Sequence, residues 1–450
     1  MSMRIKQISV SGLFGIFDHV IPLNMDERIT IIHGPNGFGK TAILRILNSF
    51  FNSRYSELID IPFNIFRLEF NNNSSIEIIK YTKELENVDD SDIILKFYEN
   101  DSKPVSVSLK PLYPYNTYKA VNTFRSARFD IEELEALVRT FQVSNEGTTS
   151  LERVKYNLID VPPNPKLKSQ EEPKWLENIK KYIRIRLIES QRLLNLSPNG
   201  SSNKYSMIST VSAYSDELAK LMQDKFQEYG KVSQSLDRTF PIRVVKQQPS
   251  ADITDNQLRQ NLNELEATRS RLIEVGLLDN DEDSEFQIQP QDIDESTKNA
   301  LSVYIEDVEK KLSVFDDIAS KIDLLKKIIN NKFAYSYKEI NFSKEKGFIF
   351  TTLYNSSSSN SKNLSPTDLS SGEQHELVLL YELLFKVQPN SLVLIDEPEI
   401  SLHVGWQVQF LKDLQEITKL ADLDILMATH SPDIIQDRWD LTVELKRPEK

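Results

Sequence analysis

Residues 29–51 read ITIIHGPNGFGKTAILRILNSFF. The first five form an apolar run suited to a buried strand, and the last ten carry apolar residues at helical spacing. Between them, GPNGFGKT at 34–41 fits G-x-x-x-x-G-K-[ST], which acts as a phosphate loop in this strand–loop–helix context. Glycines let backbone N–H groups curl around phosphates without Cβ clashes, and the helix N-terminus adds partial positive charge. Lys40 is expected to reach the β- and γ-phosphates, and Thr41 to offer its hydroxyl to Mg²⁺. The expected nucleotide-contacting set is Gly34, Pro35, Asn36, Gly37, Phe38, Gly39, Lys40, Thr41 and Ala42. The chain has only 12 glycines in 450 residues, yet Gly34, Gly37 and Gly39 fall within six positions, which argues against a chance match.

Three further stretches bear on a triphosphate. SLVLIDEPEISLH at 391–403 begins as a central parallel strand and ends in Asp396 and Glu397. Ligands gather at that end of open α/β sheets. Asp396 is expected to hold Mg²⁺ and Glu397 to polarise the attacking water; taken alone, the pair also fits an ordinary turn. DILMATH at 424–430 is another short strand with His430 at its end. A lone histidine there is either a sensor of the γ-phosphate or a solvated loop residue, and the pattern alone favours the second. LSSGEQHELVLLYELLF at 369–385 opens an apolar helix with Ser370, Ser371 and Gly372. That turn is either a second anion-binding device or an N-cap with Glu373 in the first turn.

Composition narrows the class. With 39% apolar and 27% charged residues the chain is ordinary globular material of two to four domains. It has no cysteine, which excludes disulfides, zinc–cysteine sites, iron–sulfur clusters and thiol catalysis. No apolar run approaches the roughly 18 residues of a membrane span, and MSMRIKQISV lacks the apolar core of a secretory signal. A cytoplasmic protein without membrane contact is the expectation. The net charge of −13 disfavours coating of nucleic acid, while leaving room for a local basic groove.

Taken together, these motifs resemble the ABC-type ATPases of the SMC, Rad50, RecF and OLD branch. GPNGFGKT is similar to their Walker A, with Asn36 where AAA+ proteins usually carry proline. LSSGEQ is similar to the ABC signature, DEP to Walker B, Ser401 and His403 stand at the D-loop, and His430 at the switch histidine. Gln191, after the alternating strand IRIRLI, is the Q-loop candidate and a further metal contact. The resemblance implies Mg²⁺-dependent ATP hydrolysis by Lys40, Glu397 and His430. It further implies that the turn Ser370, Ser371, Gly372 and Glu373 of one subunit caps the ATP of another, so the enzyme works as a homo-oligomer, at least a head-to-head dimer. The chain departs from the common pattern at Ser371, Glu373 and His403, where the family usually has glycine, glutamine and aspartate.

The expected fold class is α/β: a mixed P-loop sheet, an antiparallel β-subdomain, a helical insertion and a short coiled-coil hairpin. The segments are 1–125 (first part of the head), 126–182 (helical insertion), 183–250 (Q-loop strand and helix), 251–333 (hairpin) and 334–450 (second part of the head). Strands are expected at 65–70, 75–84, 92–100 and 104–110 with a turn at 71–75, and helices at 129–142, 149–158 and 204–236. VPPNPK at 161–166 reads as a breaker and SSSSNS at 356–361 as a turn. In the hairpin, Leu258, Leu262, Leu265 and Leu272 share one face. Leu301, Ile305, Val308, Leu312, Phe315, Ala319 and Ile322 form a second seam, with the acidic DNDEDSE (279–285) as a solvated tip. Arms of about 35–60 Å are far shorter than SMC or Rad50 arms. With twenty residues after His430, the Toprim domain of OLD nucleases is not expected. What remains most resembles the stand-alone ABC ATPases of antiphage systems, the PARIS ATPase subunits first and the Septu ATPases second. That resemblance implies a separate Toprim-type effector nuclease and a phage-encoded trigger protein as partners. The alternative is a RecF-like repair ATPase that clamps DNA.

Overall fold

The structure, a computed structural model, describes residues 3–82, 91–99, 103–109, 172–188, 193–198, 205–246, 254–280, 294–352 and 363–447. Gln191, the helices expected at 129–142 and 149–158, the breaker at 161–166 and the turn at 356–361 lie outside the described residues, as does most of the expected insertion 126–182.

The chain forms two compact units. The first comprises Met1–Ser190, Gln388–Ile400 and Asp422–Lys450; the second comprises Gln191–Val387 and Ser401–Ala421. The segment expected as 334–450 thus contributes to both. In chain order the first unit holds β1 (Ile5–Leu13), β2 (Phe17–Pro22), β3 (Ile29–His33), α1 (Lys40–Phe51), α2 (Tyr55–Asp60), β4 (Ile65–Phe70), β5 (Ser75–Thr82), β6 (Ser91–Tyr98), β7 (Val105–Leu109), α3 (Lys174–Tyr182) and β8 (Arg184–Ile188). The second follows with β9 (Leu194–Pro198), β10 (Tyr205–Ser209), α4 (Thr210–Lys246), α5 (Asp255–Glu274), α6 (Glu295–Leu312), α7 (Asp316–Phe333), β11 (Lys338–Ser343), β12 (Gly347–Thr352), β13 (Asn363–Leu364) and α8 (Ser371–Tyr381). β14 (Ser391–Asp396) belongs to the first unit, α9 (Val404–Ala421) to the second, and β15 (Asp424–Ala428), α10 (Pro432–Ile435) and β16 (Thr442–Glu444) to the first.

The α/β expectation holds. In the first unit β2-β1-β4-β5-β6-β7 form an antiparallel sheet and β16-β3-β15-β14-β8 a parallel one. The alternation of IFRLEF puts Phe66, Leu68 and Phe70 in the core, as a one-face-buried strand requires. β14 is buried at five successive positions, the pattern of a strand covered on both faces. α1 lends Ile43, Leu44, Ile46, Leu47 and Phe50 to a single core that also takes Ile8, Phe66, Leu394 and Leu426 from the two sheets. Burial of each such side chain contributes about 1.5–3 kcal/mol. That core fixes the phosphate loop, which emerges between β3 and α1.

The second unit departs from the expected hairpin in direction. Asp255 pairs with Lys298, and Arg271 with Asp323, so α5 runs alongside α6 and α7 in the same sense. The antiparallel partner of α6 is α4: Arg243 bonds Asp307, Lys311 bonds Asp237, and Tyr229 packs on Phe315. α4 runs for 37 residues, about 55 Å, straight through Pro241. Around the proline the helix is tied to α6 by the Arg243–Asp307 and Lys311–Asp237 pairs, and Arg243 also donates to the Leu236 carbonyl. Residues 205–209, expected as helix, pair instead as β10 with β9. The start of the acidic stretch is no free tip, since Lys344 Nζ donates to Asp279 at 2.6 Å. Just before it, Gly276 (φ 76°) sits where any Cβ would lie 2.2 Å from the Phe342 carbonyl oxygen. The leucine face and most of the second seam are buried as expected, but a 3₁₀ turn at Ser313–Phe315 breaks the second arm. Among the described residues no helix is long and apolar enough to cross a membrane.

Candidate active site

Gly34, Gly37 and Gly39 all have positive φ (150°, 84° and 92°), so the loop between β3 and α1 curls as L-residues resist doing. At Gly39 a Cβ would also lie 2.3 Å from Leu13 Cδ2. Phe38 turns its ring inward onto Phe17, with centroids 5.0 Å apart, and its carbonyl accepts from the buried His19 Nε2 at 3.0 Å. Burial is the larger influence on His19 and lowers its pKa, which suits a neutral imidazole in this role. His19 supports the loop, and no motif singled it out. Phe17 is thereby taken up in packing, whereas Phe14 remains 41% exposed.

Lys40 starts α1 and is buried. Its ammonium donates to the carbonyls of Gly34 (2.7 Å) and Pro35 (3.3 Å) and stands 3.4 Å from His430 Nδ1. Burial lowers its pKa, against the pull of Glu397, Asp396 and Glu399. Thr41 Oγ1 donates to Asp396 Oδ1 at 3.1 Å. Asp396 ends β14, and β15, lying between β14 and β3, delivers His430 from its own end. β15 is held there in part by Asp424, which takes both Arg4 and Arg28. His430 Nε2 lies 3.6 Å from Glu397 Oε1. Glu397 has φ 44°, and its N–H donates to the Ala428 carbonyl at 2.9 Å, which braces the turn against the neighbouring strand. The structure therefore brings together Lys40, Thr41, Asp396, Glu397 and His430, residues separated by up to 390 positions. It adds Glu399, whose carboxylate binds the loop around His430.

Burial pushes the Asp396 carboxyl up to about 6; the Thr41 hydroxyl and Lys40 oppose the shift, and Glu397 and Glu399 add to it. A hydroxyl and a carboxylate oxygen 3.1 Å apart, short of positive charge, form a hard donor pair that suits Mg²⁺, which usually takes one or two protein oxygens besides phosphate and water.

In the second unit, Ser370 N-caps α8 through a capping box: its hydroxyl accepts from the Glu373 N–H at 3.3 Å, and its N–H donates to Glu373 Oε2 at 2.7 Å. Glu373 is turned inward and buried, where it also accepts from Ser336 (2.6 Å) and Lys338 (2.9 Å). It belongs to the scaffold of the turn. Ser370 and Ser371 are exposed, and Gly372 half so. Ser401 closes the short turn Pro398–Ser401; His403 caps the start of α9 with its carbonyl, and its Nδ1 accepts from the Gly405 N–H at 3.2 Å.

Residues 3–435 match the AAA ATPase domain family AAA_15. The chain belongs to this family and is an ATPase. No curated protein matches it. Among solved structures it is similar to the SMC head domain from Thermotoga maritima, at 11% identity over 96% of this chain and 91% of that one, with a TM-score of 0.33. A second is the Smc head domain with an extended coiled coil, bound to the C-terminal domain of ScpA, from Pyrococcus furiosus. It shares 12% identity over 99% of this chain and 94% of that one, with a TM-score of 0.33.

Proposed function

We propose that the chain is an ABC-type ATPase that hydrolyses ATP in a site completed by a second copy of itself. The observation that carries this reading is the convergence of Lys40, Thr41, Asp396, Glu397 and His430 at one end of the parallel sheet. The backbone of residues 34–41 binds the phosphates, and Lys40 exchanges its two carbonyl partners for β- and γ-oxygens. Thr41 and Asp396 would hold Mg²⁺, which would supply positive charge against the phosphates. Glu397 takes the proton of the attacking water, and His430 bonds the γ-phosphate. Phe14, exposed near Gly39, would stack on the base, and Gln191, outside the described residues, is the further candidate for holding the metal. Ser370, Ser371 and Gly372 at the N-terminus of α8 supply the anion-binding turn for the partner's γ-phosphate.

Two inactive variants test the shared site. Lys40→Ala loses nucleotide binding at its own loop, and Ser370→Arg blocks the capping turn while leaving its own loop intact. Each alone is inactive in phosphate release, and the mixture regains part of the activity. A mixture as inactive as its components overturns the shared site.

At the level of the cell, we infer a sensor or scaffold of antiphage defence similar to the PARIS ATPase subunit AriA. ATP-joined oligomers hold a separate Toprim-type nuclease and release it when a phage protein is sensed. Support comes from a hydrolytic centre in a cysteine-free, acidic chain with a short helical arm. Copurification with the product of the neighbouring gene, and phage protection that requires Glu397, are the expected results; the absence of both refutes the assignment. The RecF-like alternative predicts ATP-dependent DNA binding that weakens steeply with salt, and the charge of −13 weighs against it.

A further inference from the structure

Among the described residues no short bond holds the His430 ring. It lies 3.4 Å from Lys40 Nζ and 3.6 Å from Glu397 Oε1, longer than well-formed hydrogen bonds. Its place is set through the main chain, by the Thr429 N–H on the Ile32 carbonyl at 3.1 Å and by the carboxylate of Glu399. Glu399 Oε1 accepts from the His430 N–H at 2.5 Å, and Oε2 accepts from the Thr429 hydroxyl at 2.8 Å. That hydroxyl in turn accepts from the Ser431 N–H at 3.0 Å. Two consecutive loop residues therefore bond a single carboxylate and a third joins through the Thr429 hydroxyl; charge-assisted bonds such as the first two are roughly twice as strong as neutral ones. The turn that projects Glu399 is itself braced, by the Glu397 N–H on Ala428 and by the fixed φ of Pro398.

We propose that Glu399 is a positioning residue of the ATPase: it sets His430 against Lys40 and Glu397 without touching the nucleotide. The proposal rests on the reading of His430 as the γ-phosphate contact. The chemistry distinguishes substitutions sharply. Alanine removes both side-chain anchors of the loop and leaves the Thr429 N–H on the Ile32 carbonyl. Glutamine keeps the bond from His430 through its carbonyl and donates its amide to the Thr429 hydroxyl, which already accepts from the Ser431 N–H and gives up only its role as donor. A carboxylate acting directly in chemistry would be lost in both variants; a surface filler would matter in neither.

The experiment measures steady-state phosphate release and ATP binding for the full chain carrying Glu399→Ala, Glu399→Gln, His430→Ala, and the double variant Glu399→Ala/His430→Ala. Glu399→Ala lowers kcat about 100-fold with ATP affinity unchanged, as misplacement of about 1 Å can do. Glu399→Gln recovers most of the rate. The double variant is no slower than His430→Ala alone, because both losses pass through one group. A wild-type rate in Glu399→Ala, a Glu399→Gln as slow as Glu399→Ala, or losses that multiply in the double variant each overturn the proposal. If His430→Ala turns over at the wild-type rate, the role of His430 falls and that of Glu399 with it. That outcome differs from an active Glu399→Ala beside an inactive His430→Ala, which removes Glu399 alone. Should Glu399→Ala fail to fold, Thr429→Val severs one anchor: a slower kcat at unchanged ATP affinity supports the proposal, and full activity refutes it.

Discussion

The turn after β14 and the first two turns of α8 each carry two glutamates, and they treat them in opposite ways. Glu397 and Glu399 remain half-exposed and crowd with Asp396 near Lys40, whose ammonium is already bonded to two carbonyls. Glu373 and Glu376 are buried, and each meets a lysine: Glu373 with Lys338, and Glu376 with Lys332, which also takes Asp413 at 2.7 Å. In the proposed function Asp396 and Glu397, left short of positive charge, receive a cation and a water proton, while Glu399 is taken up by the loop around His430. Acids already neutralised by lysines hold helices together. Residue type alone does not separate the two uses; the supply of counter-charge does.

The comparison can be broken most severely at the first site. Glu397→Gln keeps shape and ATP binding but loses the base, so turnover falls by about 10²–10⁴, read by phosphate release beside a nucleotide-binding titration. An unchanged rate would place Glu397 among the structural acids. At the second site the expected effect is on stability. Lys332→Met leaves Glu376 (0% exposed) and Asp413 without their cation, a loss of about 3–5 kcal/mol measured by denaturant midpoint. Replacing all three by apolar residues of similar volume restores most of it, because the buried charges and their desolvation disappear together. The smallest effect concerns Glu373. Burial works against its charged form, yet bonds from Lys338, Ser336 and the Ser370 N–H hold its pKa below the usual 4.5. Its contribution is therefore present above pH 4.5 and lost as the pH falls through the lower folded value. Glu373→Gln should melt below the wild type at pH 7, by about 1–2 kcal/mol, and the gap should close in acid.

Much of the first site was legible because its parts are short and local. The glycine spacing 34–37–39, the strand LVLI ahead of Asp396 and the strand DILMA ahead of His430 each declare themselves within ten residues. The meander at 65–109 was legible for a similar reason, since its alternation repeats with a period of two. Glu399 was not, because nothing in DEPE distinguishes a carboxylate that braces a loop from one that polarises water; that depends on β15 lying beside β14. The direction of α5 was equally hidden. A leucine face says that a helix is buried but not which way its neighbour runs, and the ion pairs Asp255–Lys298 and Arg271–Asp323 decide it. The passage of α4 through Pro241 is a case of tertiary pairing overriding local preference.

β3, the strand that launches the phosphate loop, is flanked by β15 and β16, which are encoded some four hundred residues later. A growing chain on the ribosome thus exposes β3 with both edges bare until nearly all of the described sequence has emerged. Closing such distant pairings is slow, and open edges invite association with other chains. The catalytic pocket is then among the last parts to be finished in synthesis, so fragments that stop before residue 424 should be prone to aggregate and should be unable to retain nucleotide.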